Sequence, residues 1–335
     1  MTRTIKTTGD LNRRAILLRL SAASLAGVGL SFAALATQSN GGSGQGKSGK
    51  LFPKLSHEVS KATQIKIIAP TTQFELAKVA GKWVAPISDS YAVADEPLRV
   101  LIKALSDMRF VRALPPPTEQ EASASQIDPR KGGDGVWLTV GTEDQRPLVT
   151  LILAKRGDQT WVQLGDDATL YEVTSADWPS FSDISTWLDL PRFDIAPERI
   201  ATISLSRPGQ AALEIVRRPD GGFAPVGGTA SASINDIALL LGRLAFQDAQ
   251  RQAGINGSPN FTHETSLKSG LIIALDGYQS AGRDWVKVRI DASQAATSEE
   301  GARLAAQTTG WAYEIPTKLS TLLSTPTALL LQAEL

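Results

Sequence analysis

The chain has 335 residues, enough for two modest domains, and its 34 basic side chains balance 34 acidic ones. That neutrality argues against a field built for nucleic acid or for an acidic substrate. With no cysteine, disulfides, thiolate metal sites, cysteine nucleophiles and a lipid-carrying cysteine are all excluded.

The N-terminus reads as an export address. Arg3, Lys6, Arg13, Arg14 and Arg19 face a single Asp10, and an apolar stretch rich in Ala, Ser and Gly runs from Leu20 to Ala36. It closes on Ala34-Leu35-Ala36, the small-x-small pattern that a signal peptidase cuts. "NRRAILL" at 12–18 suits a twin-arginine signal. Residues 1–36 are therefore expected to be a signal peptide cleaved near Ala36, or an anchor in which residues 15–36 tether the body to the inner membrane. Either way the body is exported to the periplasm, and membrane contact is confined to this segment. Residues 37–50, "TQSNGGSGQGKSGK", read as a flexible spacer.

That spacer contains a full phosphate-loop pattern, Gly41 through Gly46-Lys47-Ser48. A working loop needs a buried strand before it and a helix starting at its Lys-Ser. Here the signal segment precedes it, and Gly49 and Pro53 follow. The acid of a Walker-B look-alike, Asp276 in "LIIALD", lies far downstream. ATP binding is not expected.

The body reads as a tandem repeat. Residues 65–113 and 200–249 each give three strands and an amphipathic helix, with Leu98, Leu101, Leu105 and Met108 matching Ile234, Ile237, Leu241 and Leu244 on one helical face. Asp95 and Ser233 are expected as N-caps. Further on, 135–141 aligns with 270–276, making Gly141 the counterpart of Asp276. Residues 147–155 align with 284–291, and 169–178 with 310–319, which pairs Tyr171 with Tyr313. The segments 114–134 and 250–269 read as long loops. The expected fold is α+β. Two homologous lobes, 51–192 and 193–335, each hold an antiparallel sheet of short strands packed by one main and one short helix.

Residues with chemical potential do not converge on a motif. His57 and His263 are each followed by Glu, but Lys61 and Leu267 stand where a zinc protease needs its second His; surface or capping roles are expected. Asp166-Asp167 and Glu299-Glu300 read as solvated connectors. Trp161, Tyr171, Trp178, Phe181 and Trp187 could form a platform for sugar or peptide, and core packing is the stronger reading. No catalytic, cofactor-binding or metal-binding residue is assigned.

The order "LFPKL", "FEL", "KWV", "MRFV", "TWVQ", "LYEV" and "TWLDL…IAPERIATISLSR" resembles bacterial proteins of "domain of unknown function 4340" over about residues 51–250. The family's D-W-L is here Thr186-Trp187-Leu188. The resemblance implies an exported or membrane-tethered protein similar to those found beside gliding-type ABC transport systems, and it carries over no catalytic residue. The expectation is a non-enzymatic accessory or scaffold protein with an envelope or inner-membrane partner. A binding module with a cleft between the lobes is the alternative, and a hydrolase with an unrecognised site the next.

Overall fold

The computed structural model describes residues 49–332 apart from 116–125, 166, 168, 175, 230 and 294–297. The export signal and the phosphate-loop pattern lie outside these residues. Gly49 and Lys50, the last two of the Gly/Ser stretch, already pair with Phe110 and Arg109.

Short helix α1 (Leu55–Glu58) leads into β1 (Ala62–Ile68), β2 (Gln73–Val79), β3 (Lys82–Ala85) and the two-residue β4 (Tyr91–Ala92). Helix α2 (Asp95–Asp107) buries Leu98, Leu101 and Leu105 on one face, as their spacing requires. Then come β5 (Phe110–Ala113), β6 (Val136–Thr142), β7 (Pro147–Arg156), β8 (Gln159–Leu164) and β9 (Leu170–Val173). The second lobe holds β10 (Ile200–Ser206), β11 (Leu213–Arg217), β12 (Phe223–Pro225), helices α3 (Ala232–Ala238) and α4 (Leu240–Arg243), β13 (Asp248–Arg251), β14 (Phe261–Leu267), β15 (Ile272–Ser280) and β16 (Arg283–Asp291). Helix α5 (Ser298–Thr308), β17 (Trp311–Glu314), α6 (Thr317–Ser324) and α7 (Thr327–Gln332) complete it.

Both sheets are antiparallel, and their strand orders superpose. The first runs β4-β3-β2-β1-β6-β7-β8-β9-β5 and the second β12-β11-β10-β14-β15-β16-β17-β13. Apart from β4, each strand of one has a counterpart in the other. Even an irregularity is repeated: the register slips between Ala62 and Gln64 against β6, and between Ile200 and Thr202 against β14. Such bulges re-aim a strand and are inherited with it. The architecture is α+β in two lobes of one plan.

The pairing corrects several expectations. β6 borders β1 and β14 borders β10, so the counterpart of 135–141 is 260–266 and not 270–276. The true counterpart of Asp276 is Ile152, since Ile152 follows Leu151 opposite Leu138 and Asp276 follows Leu275 opposite His263. The second expected loop therefore contains β14 and the end of β13. Helix α2 stops at Asp107, and Met108 turns to extended backbone, so Phe110–Ala113 is an edge strand and not a helix end. The N-caps also move. Ala94 caps α2 without a side-chain bond, Ser233 lies inside α3, and the Ser231 hydroxyl accepts from the Ile234 amide. Glu299-Glu300 sits in the first turn of α5, where Glu300 pairs with Arg199 at 2.6 Å.

One continuous buried cluster runs through both lobes. At their junction Tyr91 meets Trp311 edge-on with centroids 4.6 Å apart, and Phe246 stacks on Tyr313 at 4.7 Å. The turn after β3 supplies the polar contacts. The Ser88 hydroxyl donates to the buried Asp248 carboxylate at 2.6 Å, and the Asp89 carboxylate accepts from the Arg251 amide at 2.8 Å. Arg283 bridges Asp248 and Glu314. Asp89 and Ser90 both hold left-handed φ angles, 52° and 61°, a costly pair for residues with side chains.

Candidate functional site: the outer face of the second lobe

Because the lobes share one plan, each serves as a ruler for the other. A position where both copies keep the same chemistry is explained by packing. A position where they diverge needs another reason.

Most core positions agree. Ile65 and Ile67 answer to Ile203 and Leu205, and Leu76 to Ile215; all are fully buried. Each lobe also lays the segment after its edge strand over the outer face of its sheet. There Ile127 packs on Ile152 and Ala154, and Ile255 on Trp285 and Ala312.

The divergence is concentrated in β14 and β15. On the core side Leu138 and Val140 become His263 and Thr265, each with no exposed surface. On the outer side Trp137 becomes Thr262, Thr139 becomes Glu264 and Ile152 becomes Asp276. The second copy has exchanged apolar cover for charge. Asp276 accepts from Thr262 at 2.8 Å and from Arg289 at 2.5 Å. Burial works to raise its carboxyl, and these bonds outweigh burial and hold it below the ordinary carboxylate range. Lys287 lies over the Tyr278 ring at 4.6 Å and donates to the Ile255 carbonyl at 2.9 Å.

Two contiguous grooves of about 480 and 590 Å³ open on this face and share Gln252, Val288 and Arg289. Glu264 and Asp291 stand in the first, and Asn256, Asp276, Tyr278 and Lys287 in the second. Both are shallow and open to solvent, unlike the enclosing clefts that bury a small ligand. The expected inter-lobe cleft is not where these grooves lie, because aromatic rings fill the junction. Among the described residues no group of three or more His, Asp or Glu is placed to hold a metal.

The residues weighed from sequence scatter. His57 is exposed on α1. His263, expected at the surface or as a cap, is instead sealed under α3, with Nε2 2.9 Å from the Ile237 carbonyl. Burial pushes its pKa down to about 4. Trp187 has no exposed surface and touches Phe74 and Phe181. Trp178 and Phe181 pack on the same core, and Tyr171 lies against Phe110. Trp161 is half-buried beneath Arg156. These aromatics form packing, not a platform. Tyr171 and Tyr313 do correspond, each opposite an alanine of its edge strand. Asp166 lies outside the described residues, and Asp167 accepts from the Tyr171 hydroxyl at 2.8 Å.

Sequence reading missed the outer groove. Its signal was present in "FTHETSL", a strand whose core positions carry His and Thr.

No protein-family model, curated protein or solved structure matches the chain.

Proposed function

We propose that this chain is an exported, non-enzymatic accessory protein of a cell-envelope complex, with the outer face of its second lobe as the surface that meets a partner. The observation that carries this reading is the divergence between the copies. The two lobes share one scaffold, and the second presents a charged, grooved face containing Tyr278 and Arg289 where the first has apolar cover. Tyrosine and arginine are enriched where proteins meet. The basic N-terminus with its apolar stretch supports export. The short motifs that resemble the domain of unknown function 4340 point to an ABC-type transport system as the partner assembly. No described helix is long and apolar enough to cross a membrane, and the N-terminal segment lies outside that statement.

The experiment is affinity purification of the tagged chain from solubilised envelopes, side by side with an Asp276→Lys variant. A membrane protein recovered with the native chain and lost with the variant is expected. Recovery of nothing by the native chain overturns the reading. The polar groups that converge in the second groove, Asn256, Asp276 and Lys287, support a second reading, a small-ligand binding module with its site on this face. Thermal stabilisation of the purified chain by a periplasmic metabolite extract, with no protein recovered, would favour it.

A further inference from the structure

Strand β16 is nine residues long and β17 four. Their ladder covers only Trp285, Val286 and Lys287, opposite Glu314, Tyr313 and Ala312. Past that point α5 runs beside the strand, and its end shows the groove only Ala305, Thr308, Thr309 and Gly310. Small residues there leave the strand edge open.

The direction of each main-chain group on that edge is fixed by alternation. The Ile315 amide donates to the Asp284 carbonyl at 2.9 Å, so the even-numbered residues of β16 point away from β15. The Val288 carbonyl and both main-chain groups of Ile290 therefore face the groove, and among the described residues none bonds to them. In the first lobe the corresponding ladder, β8 with β9, runs over four pairs of a six-residue strand. There the Leu164 carbonyl, the counterpart of Val288's, accepts from the Asp167 amide at 3.0 Å, so among the described residues the open edge is seen in the second lobe.

Charge narrows the occupant. Arg289 is held by Asp276. Asp291, on the edge itself, and Glu264, across the small Ala274, make no ion pair among the described residues. An occupant that pairs with the edge thus meets net negative charge, with Ile272 and Ala274 as the apolar floor.

We infer that the edge of β16 at Val288–Ile290 receives an extended segment of a partner protein, added as a strand, in which lysine or arginine alternates with apolar residues. Main-chain bonds give such additions their affinity, and the side chains select the sequence. This rests on the accessory reading and names the place and chemistry of the contact.

The test uses the whole purified chain and three fluorescein-labelled, acetylated hexapeptides. One alternates valine with lysine, one alternates valine with glutamate, and one is the lysine peptide with every second amide N-methylated. The lysine peptide is expected to bind, and the other two to bind at least about tenfold more weakly. Ile290→Pro should weaken the lysine peptide similarly, because this residue's amide points to the groove and its loss costs no bond to β15. The double variant Glu264→Lys/Asp291→Lys should reverse the charge preference, and it decides the matter if Ile290→Pro does not fold. Equal binding of the N-methylated peptide, an unchanged preference in the double variant, or no binding of the lysine peptide overturns the inference. A membrane partner recovered equally by the native chain and the double variant also overturns it and leaves the accessory reading standing. Recovery of no partner by the native chain sinks that reading itself.

Discussion

His263 occupies the place of Leu138 and is sealed from water. A carbonyl can only accept, so the bond to Ile237 fixes the proton on Nε2, and Nδ1 has no partner among the described residues. Protonating Nδ1 would place an uncompensated charge in the core. The sign of the pH effect follows. The folded pKa, about 4, lies below the 6.5 of an unburied histidine, so the unfolded chain takes up the proton first. Stability is complete above about pH 6.5, falls as pH drops towards 4, and changes no further below that through this group. The full loss is roughly 3 kcal/mol. His263→Leu, which restores the first lobe's residue, is expected to flatten urea-denaturation stability between pH 7 and 4.5 relative to the native chain. Equal slopes would count against this account. At neutral pH the variant should lose about 1 kcal/mol for the unpaired Ile237 carbonyl.

Between elements, the same comparison turns on a pair across β14 and β15. The first lobe sets Val136 opposite Leu153, and the second sets Phe261 opposite Gly277. A Cβ on Gly277 would lie inside the Phe261 ring, so the glycine is required by close approach and not by its backbone angle. Gly277→Leu alone should cost on the order of 1–3 kcal/mol or more through overpacking. Combined with Phe261→Val it should recover much of that, and thermal melts of the two singles and the double give the coupling. Additive losses would show that the lobes do not share this packing rule. The pair also explains what the sequence made legible. The helices could be read because Leu98, Leu101 and Leu105, like Ile234, Ile237 and Leu241, are buried at helical spacing. Strand β14 could not, because His263 and Thr265 break the apolar alternation by which a half-buried strand is recognised. With β14 hidden in this way, the sequence pattern aligns β15 one strand out of place and matches Asp276 to Gly141 in place of Ile152. The edge strand β5 was missed for a different reason: Val111, Arg112 and Ala113 are all exposed, so burial imposes no pattern on them.

At the scale of the molecule, the junction joins the turn after β3 and Tyr91 of the first lobe to strands β13 and β17 of the second. Asp248 receives the Ser88 hydroxyl and the Arg283 guanidinium there. Asp248→Ala is expected to lose about 1–3 kcal/mol, since Arg283 keeps Glu314 and is partly exposed to solvent. In scanning calorimetry the single transition should broaden or split as the lobes uncouple. A sharp single transition with unchanged midpoint would show that the aromatic contacts alone join them.

The junction has a further consequence when its two halves are compared with their copies. The plug is the turn after β3, with Ser88, Asp89 and Tyr91. After β12 the chain instead reads Val226-Gly227-Gly228. The socket contains Asp248 opposite Glu314, whereas the first lobe has Arg112 opposite Glu172. A repeat whose ends stayed identical would offer every chain's plug to the next chain's socket, and such head-to-tail contacts grow into open filaments. Here the outer socket carries Arg112 where the inner one has Asp248, and the outer plug has neither hydroxyl nor carboxylate at Val226-Gly227-Gly228. The contacts that join the two lobes are therefore not repeated at the chain's outer plug and socket.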